Sequence, residues 1–337
     1  LTGFTGSAGM AVITADRAAL FVDGRYRVQA RAEIDTAVIA PVNWPETKPG
    51  PWLREALPQG GRVAYDPWLH TRDEIDALEK SLEGSGIELC PESNFIDAIW
   101  VDRPPPPSAP VTVFPDSLAG ASAAGKRAAA ARALAGAGQD AAVLTLPDGI
   151  NWLLNIRGSD IPRTPVALAD AILRRDGTVA LFIDPAKLSD AVRAHLGPEV
   201  TIAPPEAFAP ALSALTGTVR IDRATAPVAV STLVAGGGAT VAWDRDPTVL
   251  PKARKTPAEL AATTEAHLRD GAARVEFLSW LDSEAEALVR DPARRLTEID
   301  VVRRLEGFRA ATNALREISF DTICGAGPNG AIVHYRV

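Results

Sequence analysis

A hydrolytic site needs a nucleophile, a proton carrier and a group that holds the developing oxyanion. In this 337-residue sequence the imidazoles are the natural candidates for the last two tasks, because they titrate near neutrality. The histidines are His70, His195, His267 and His334. No HExxH occurs and no two histidines stand four apart, so no helix offers a ready pair of metal ligands. His70 follows Asp66-Pro67 and reads as a surface loop residue. His195 falls near a helix C-terminus, where the helix dipole favours a cation, and His267 falls inside a helix. For these three a structural role is the better reading. His334 differs in context: it follows Gly327, Pro328 and Gly330, residues that fix backbone shape and leave room for a ligand. "GFTGSAG" near the start has only the loose spacing of a phosphate loop and reads as a tight turn between strands. Cys90 in "IELC" and Cys324 in "TIC" form no CxxC or Cys/His cluster and read as small buried hydrophobes.

Composition narrows the classes. The chain is 47% hydrophobic and 23% charged, with a formal net charge of −7, as befits a globular protein of two or three domains. Without a basic stripe, nucleic acid is not the expected partner. No stretch approaches the roughly 18 apolar residues of a membrane span, so no membrane partner is expected. "LTGFTGSAG" has neither the basic nor the apolar region of a signal peptide. Two thiols fit a reducing compartment, and the expected location is cytoplasmic.

The elements that must position any site can be read in order. "RPPPPSAPV", residues 103–111, cannot join a helix or central strand and is expected to link domains. Beyond it, 122–137 is an Ala-rich helix behind Ser122, and "DAAVLTL" is a buried strand. Two strands flank the "RRDGT" turn, "PAKLSDAVRAHLG" is helical, and "GTVRID" is another strand. Strands alternating with helices predict an α/β domain. Near residue 250 a new region opens. Thr256, Pro257 and Glu259 form a capping-box start, and Leu268, Ala272, Val275, Leu278 and Leu281 are expected to supply the helix's apolar stripe. Thr297 and Asp300 open a second helix, and "SFDTICGAGPNGAIVHY" reads as strand, Gly-rich loop and strand.

The start of the chain repeats the middle. "LTGFTGSAG" resembles "LLNIRGSDI", "RAALFVD" resembles "TVALFID", and "GRVAYDP" resembles "GTVRIDR", in the same order. Three ordered matches point to a duplicated unit. The second copy has a helix and a strand ahead of "LLNIRGSD" that the first lacks. The first sheet is therefore expected to show an unpaired edge, and the chain to be cut at its front as well as at its back.

"LTGFTGSAGMAVITADRAALFVDGRYRVQA", "WVDRPPPPSAPV", "LLNIRGSDI" and "ISFDTICGAGPNGAIVHYRV" together resemble the Xaa-Pro aminopeptidase family, in its long three-domain form. The resemblance implies two creatinase-like N-terminal α/β domains related by duplication, then the opening part of an α+β "pita-bread" catalytic domain. The expected spans are 1–110, 111–250 and 251–337. It implies an exopeptidase that releases the N-terminal residue from short peptides with proline second, a homodimeric assembly, and two divalent metal ions, usually manganese. On this resemblance His334 is the catalytic candidate, binding substrate near the scissile carbonyl and stabilising the tetrahedral intermediate or shuttling a proton. Arg25 of "DGRY" is a weaker, substrate-binding candidate, and its alternative is an ion pair with Asp23.

The family's two Asp, one His and two Glu metal ligands all follow the "AIVHY" segment, and none is present in this sequence. Asp300 and Asp321 match no ligand motif, so no residue is assigned to metal. These residues alone are expected to be inactive. The rival reading is a non-catalytic pita-bread relative that binds peptides or proteins. Prolidase and creatinase, with a single N-terminal domain, fit less well.

Overall fold

The computed structural model describes residues 1–336, and the chain divides into two compact units. One comprises Leu1–Arg62, Leu78–Glu88 and the chain from Glu265 onward; the other comprises Val63–Ala77 and Leu89–Thr264.

In the first unit β1 (Met10–Ile13) and β2 (Ala18–Val22) form an antiparallel hairpin, with Met10 opposite Phe21. β3 (Ala40–Asn43) runs parallel to β2 on its other side. Alternation along β2 sends Leu20 and Val22 to one face, where they bury against Tyr26, Ala30 and Ile34 of the Arg27–Glu33 helix and its flanks. Phe21, one residue out of phase, meets Trp52 edge-on at 6.1 Å. β1 is one edge of this three-stranded sheet, on the side where the repeat predicted an unpaired strand. β4 (Gly61–Tyr65) and β5 (Ile87–Pro91), along each of which the division between the units falls, form a separate two-stranded sheet.

The second unit holds the complete version of the pattern. A short ladder of β6 (Thr112–Val113) with β8 (Ile156–Arg157) flanks a six-stranded sheet. That sheet contains β7 (Ala141–Leu144), β9 (Asp170–Arg174), β10 (Val179–Phe182), β11 (Val200–Ala203), β12 (Thr218–Ile221) and β13 (Thr240–Trp243). Their order is β11-β10-β9-β7-β12-β13. β9 and β10 are antiparallel and β10 and β11 parallel, the same arrangement as β1, β2 and β3. "TVALFID" therefore occupies the place of "RAALFVD", as the repeat requires. β7 sits between β9 and β12, and among the described residues the first copy has no counterpart for it.

Both faces of the six-stranded sheet are covered, so β7 is buried throughout. Ala142 and Leu144 face a core with Leu134, Ile150, Leu153, Val192 and Leu196 from three helices. Ala141 and Val143 face a second core with Phe208, Leu212, Val230 and Val234. The result is a mixed α/β fold with helices on both faces of its largest sheet.

Two expectations for the last region are corrected. The helix Pro257–Arg290 starts as predicted, with Thr256 and Glu259 bonded reciprocally, but its expected stripe is not its buried face. Leu268, Val275 and Leu278 are exposed, whereas Ala273 is buried and Trp280 is half-covered. The covered face is the one toward the Glu298–Ala311 helix, where Arg309 pairs with Asp270 and Arg304 lies over Trp280. The second correction concerns 319–336, which forms no strand. Its Gly-rich part is a short 3-10 turn, Gly327–Ala331, and backbone N–H groups of Asn329, Ile332 and Tyr335 bond three residues back. Those local bonds use the donors that a strand would need for a partner. The capping box of Thr297 and Asp300 is present as read. Cys90 is buried, Cys324 only partly so, and neither is in a disulfide.

Candidate functional site

The site is assembled from both ends of the first unit. Asp23 directly follows β2, and the turn it opens ends at Tyr26, the residue before the Arg27–Glu33 helix. Tyr26 is 1% exposed. Its ring meets Phe4 edge-on at 5.5 Å, and its hydroxyl is hydrogen-bonded to that of Ser7. This packing explains "GFTGS": a Cβ at Gly6 would lie 2.1 Å from the Phe4 ring and 2.8 Å from the Tyr26 ring. The glycine is there so that two aromatic rings can close over the backbone, not for a phosphate. Glu33 fixes the same stretch, accepting from the Thr5 N–H at 2.7 Å and the Thr5 hydroxyl at 2.8 Å.

His334 lies on Tyr26. The two rings are stacked, with centroids 5.4 Å apart and planes 23° off parallel. The imidazole is otherwise exposed, so its polar edge can reach a ligand. Arg25 also approaches the Tyr26 ring, its guanidinium carbon 5.1 Å from the centroid. Arg25 donates to Asp23 from Nε at 3.0 Å, from its terminal nitrogen at 2.7 Å and from its own backbone N–H at 2.9 Å. These bonds, first the side-chain ones, hold the Asp23 carboxyl down at about 2, and the nearby His334 adds a smaller push in the same direction. The pairing offered as the alternative for Arg25 is thus present. It leaves the guanidinium half-exposed, at 48% of its side chain.

The segment that carries His334 is tied down by Glu298, the first residue of its helix. Its carboxylate accepts from the Ala326 N–H, from the Asn329 amide at 3.0 and 3.1 Å and from the Tyr335 hydroxyl at 2.9 Å. The Ala326 bond is the largest of the influences that keep this carboxyl below the usual glutamate range. The hydrogen bond to the Glu298 carboxylate pushes the Tyr335 phenol up, with desolvation and the Glu298 charge adding smaller pushes in the same direction.

The other histidines lie elsewhere. His70 faces Glu74 at 3.7 Å and is partly covered. His195 is bonded through Nε2 to the Leu154 carbonyl at 2.9 Å, and His267 is exposed on its helix. Asp300 is used in its capping box, and Asp321 lies 3.8 Å from Arg336. Among the described residues no group of three or more His, Cys, Asp or Glu side chains could hold a metal ion. Hard divalent cations need several converging oxygens, so these residues do not by themselves fit a two-metal centre. Chemically, the cluster offers an accessible imidazole beside a fixed carboxylate–guanidinium pair: a place to bind a polar group and pass a proton, without a metal cage.

Sequence reasoning named His334 and Arg25 but missed Tyr26 and Glu298. The "DGRY" tetrapeptide held the signal for Tyr26. Nothing in the local sequence marked Glu298, because its partners lie about thirty residues on.

Comparison with known proteins completes the description. Two forms of the family described as "Creatinase/Prolidase N-terminal domain" match residues 1–99 and 102–259, and "Metallopeptidase family M24" matches 261–337. The whole chain is 36% identical to "Probable Xaa-Pro aminopeptidase P" of Aspergillus clavatus and 32% identical to "Aminopeptidase P2" of Arabidopsis thaliana, covering 52% of each. The chain spans about half the length of the curated relatives it matches. A solved X-prolyl aminopeptidase from Caenorhabditis elegans, described as a cytosolic enzyme with a di-nuclear active site, superposes with a TM-score of 0.89 at 31% identity. That match covers 99% of this chain and 55% of that one.

Proposed function

From the premise that this chain belongs to the creatinase/prolidase–M24 metallopeptidase family, we propose that it is part of an Xaa-Pro aminopeptidase. The longer protein would release the N-terminal residue from short peptides with proline second. The observation that carries this reading is the placement of His334, exposed and stacked on Tyr26, beside the Asp23–Arg25 pair. The N-terminal "DGRY" and the C-terminal "VHY" motifs meet there in one cluster.

The chemistry fits the substrate. An Xaa-Pro bond is a tertiary amide, so the substrate cannot offer the N–H that strand-gripping peptidases use. Recognition has to fall on the carbonyl and on the peptide's other polar groups. His334 would donate to the scissile carbonyl oxygen as charge develops on it, or carry the proton to the departing proline nitrogen. Arg25, held by Asp23 but half-exposed, would meet a carboxylate or carbonyl of the peptide.

Two divalent ions, proposed as manganese, would supply the activated water when bound. The described residues hold no cluster for them, so their ligands would come from length that the relatives have and this chain does not. The spans 1–110, 111–250 and 251–337 are proposed as two N-terminal domains and the start of the catalytic domain. A homodimer and a cytoplasmic location are proposed with them. Among the described residues no helix is long and apolar enough to cross a membrane.

A second reading is a non-catalytic relative that keeps the scaffold and binds peptides through the same exposed imidazole and half-exposed guanidinium. Assaying the full-length protein with manganese on a peptide with proline second separates the two. Release of the first residue supports the enzyme; metal binding with the peptide left intact supports the binding module.

A further inference from the structure

An exposed imidazole on a flexible side chain would sample several rotamers, and two features of this structure restrict that freedom. One is the ring of Tyr26, itself buried in the core, edge-on to Phe4 and hydrogen-bonded to the Ser7 hydroxyl. The other is the carboxylate of Glu298, which gathers donors from Ala326, Asn329 and Tyr335, the last adjacent to His334. Asn329 also donates to the Tyr335 hydroxyl at 2.8 Å, which closes the ring of bonds.

We propose that Tyr26 and Glu298 are the positioning residues of His334: the carboxylate clasps the loop that carries it, and the phenol ring sets the plane of the imidazole. The proposal rests on the reading of His334 as a substrate-contacting group and names what holds it. Neither residue touches the reacting atoms. A carboxylate at a helix N-terminus also suits the dipole, but that does not explain why Glu298 turns to the 326–335 segment. Helix initiation there is already served by the Thr297–Asp300 capping box, so the helix survives loss of Glu298. What such loss removes is placement, and an error of about 1 Å in a reacting group can cost on the order of 10²-fold in rate.

The test reads placement before activity. In proton–carbon NMR spectra of the 337-residue chain, the His334 Cε1–H signal is assigned by its disappearance in His334→Gln. Stacking on Tyr26 shifts it upfield. Glu298→Ala is expected to return it toward the free-histidine position, with circular dichroism and thermal midpoint little changed. Glu298→Gln, which keeps one accepting oxygen, is expected to restore part of the shift. Tyr26→Leu, which keeps bulk but no ring, should abolish it; should that variant fail to fold, the Glu298 series decides alone. A wild-type signal at the free position, or one unmoved by Glu298→Ala, overturns the proposal. In the full-length protein, Glu298→Ala should lower kcat on an Xaa-Pro peptide by about 10²-fold with little change in KM. Unchanged kcat overturns the catalytic half. A wild-type protein that hydrolyses nothing refutes the peptidase reading and that half with it, while the NMR series still decides the geometry.

Discussion

His334 and Arg25 show what a single residue's identity does and does not disclose. Both stood out in the sequence through their motifs, and the pairing of Arg25 with Asp23, two residues away, was open to the same reading; Tyr26 under the imidazole, from the other end of the chain, is a contact that only folding creates. Two titrations follow at this scale. Asp23 is held at about 2 by Arg25, against an ordinary 3.8. An NMR titration should find that midpoint in the native chain and see it rise toward 3.8 in Arg25→Ala. Any stability from this pair is full above about pH 4 and is lost as pH falls through 2, because a depressed carboxyl pKa favours the folded state only while ionised. Asp170, at the start of β9, is the opposite case. Burial raises its carboxyl to about 6, so the folded state binds its proton more tightly than the unfolded one. Its contribution to stability should fall as pH rises from about 4 to 6. The loss is bounded by about 3 kcal/mol, at ~1.4 per pKa unit, and residual solvent access reduces it. Urea midpoints across that range should show the slope in the wild type and not in Asp170→Asn.

Elements were legible where local chemistry decides them. Ser122, Thr256 and Thr297 each start the helix expected of them, because a cap is a bond within four residues. The duplicated strands were legible because "ALFVD" and "ALFID" keep the same register against their neighbours. The face of the Pro257–Arg290 helix was not. It has more than one apolar stripe, and which one is covered depends on the partner helix rather than on spacing. The "AIVHY" strand failed for a related reason: strand character needs a second strand, and the turn chemistry of Gly327-Pro328 prevailed locally. "NIRGSD" also has a structural meaning that its sequence did not reveal. Asn155 takes a left-handed φ of 50° at a helix end, and a Cβ on Gly158 would lie 2.7 Å from the Ala167 backbone. Asp160 accepts from Ala109 of the Pro-rich segment, from Leu168 and, at 2.7 Å, from the buried Lys187 ammonium. Lys187→Met strands that carboxylate in the core and should cost about 3–5 kcal/mol in chemical denaturation. Adding Asp160→Asn should recover part of the loss, since the amide oxygen still accepts from the Ala109 N–H; no recovery would mean the charge is not what matters.

At the scale of the whole molecule, the fold class was legible because repetition and alternation are global patterns that survive without any contact information. Two divalent metals were implied only by the family resemblance, and their ligands could not be named, because a cage is a convergence of residues and the described residues contain none. The 337-residue chain by itself is expected to show no manganese-dependent turnover of an Xaa-Pro peptide, and any metal-dependent turnover by it would refute that. The central claim is that His334 serves an Xaa-Pro peptidase. The most direct measurement is the steady-state hydrolysis of a peptide with proline second by the manganese-loaded full-length protein and by its His334→Ala variant. The account predicts clean release of the first residue by the former and a loss of about 10²-fold or more in kcat/KM by the latter. Equal rates in the two proteins, or a wild type that leaves the peptide whole, would contradict it.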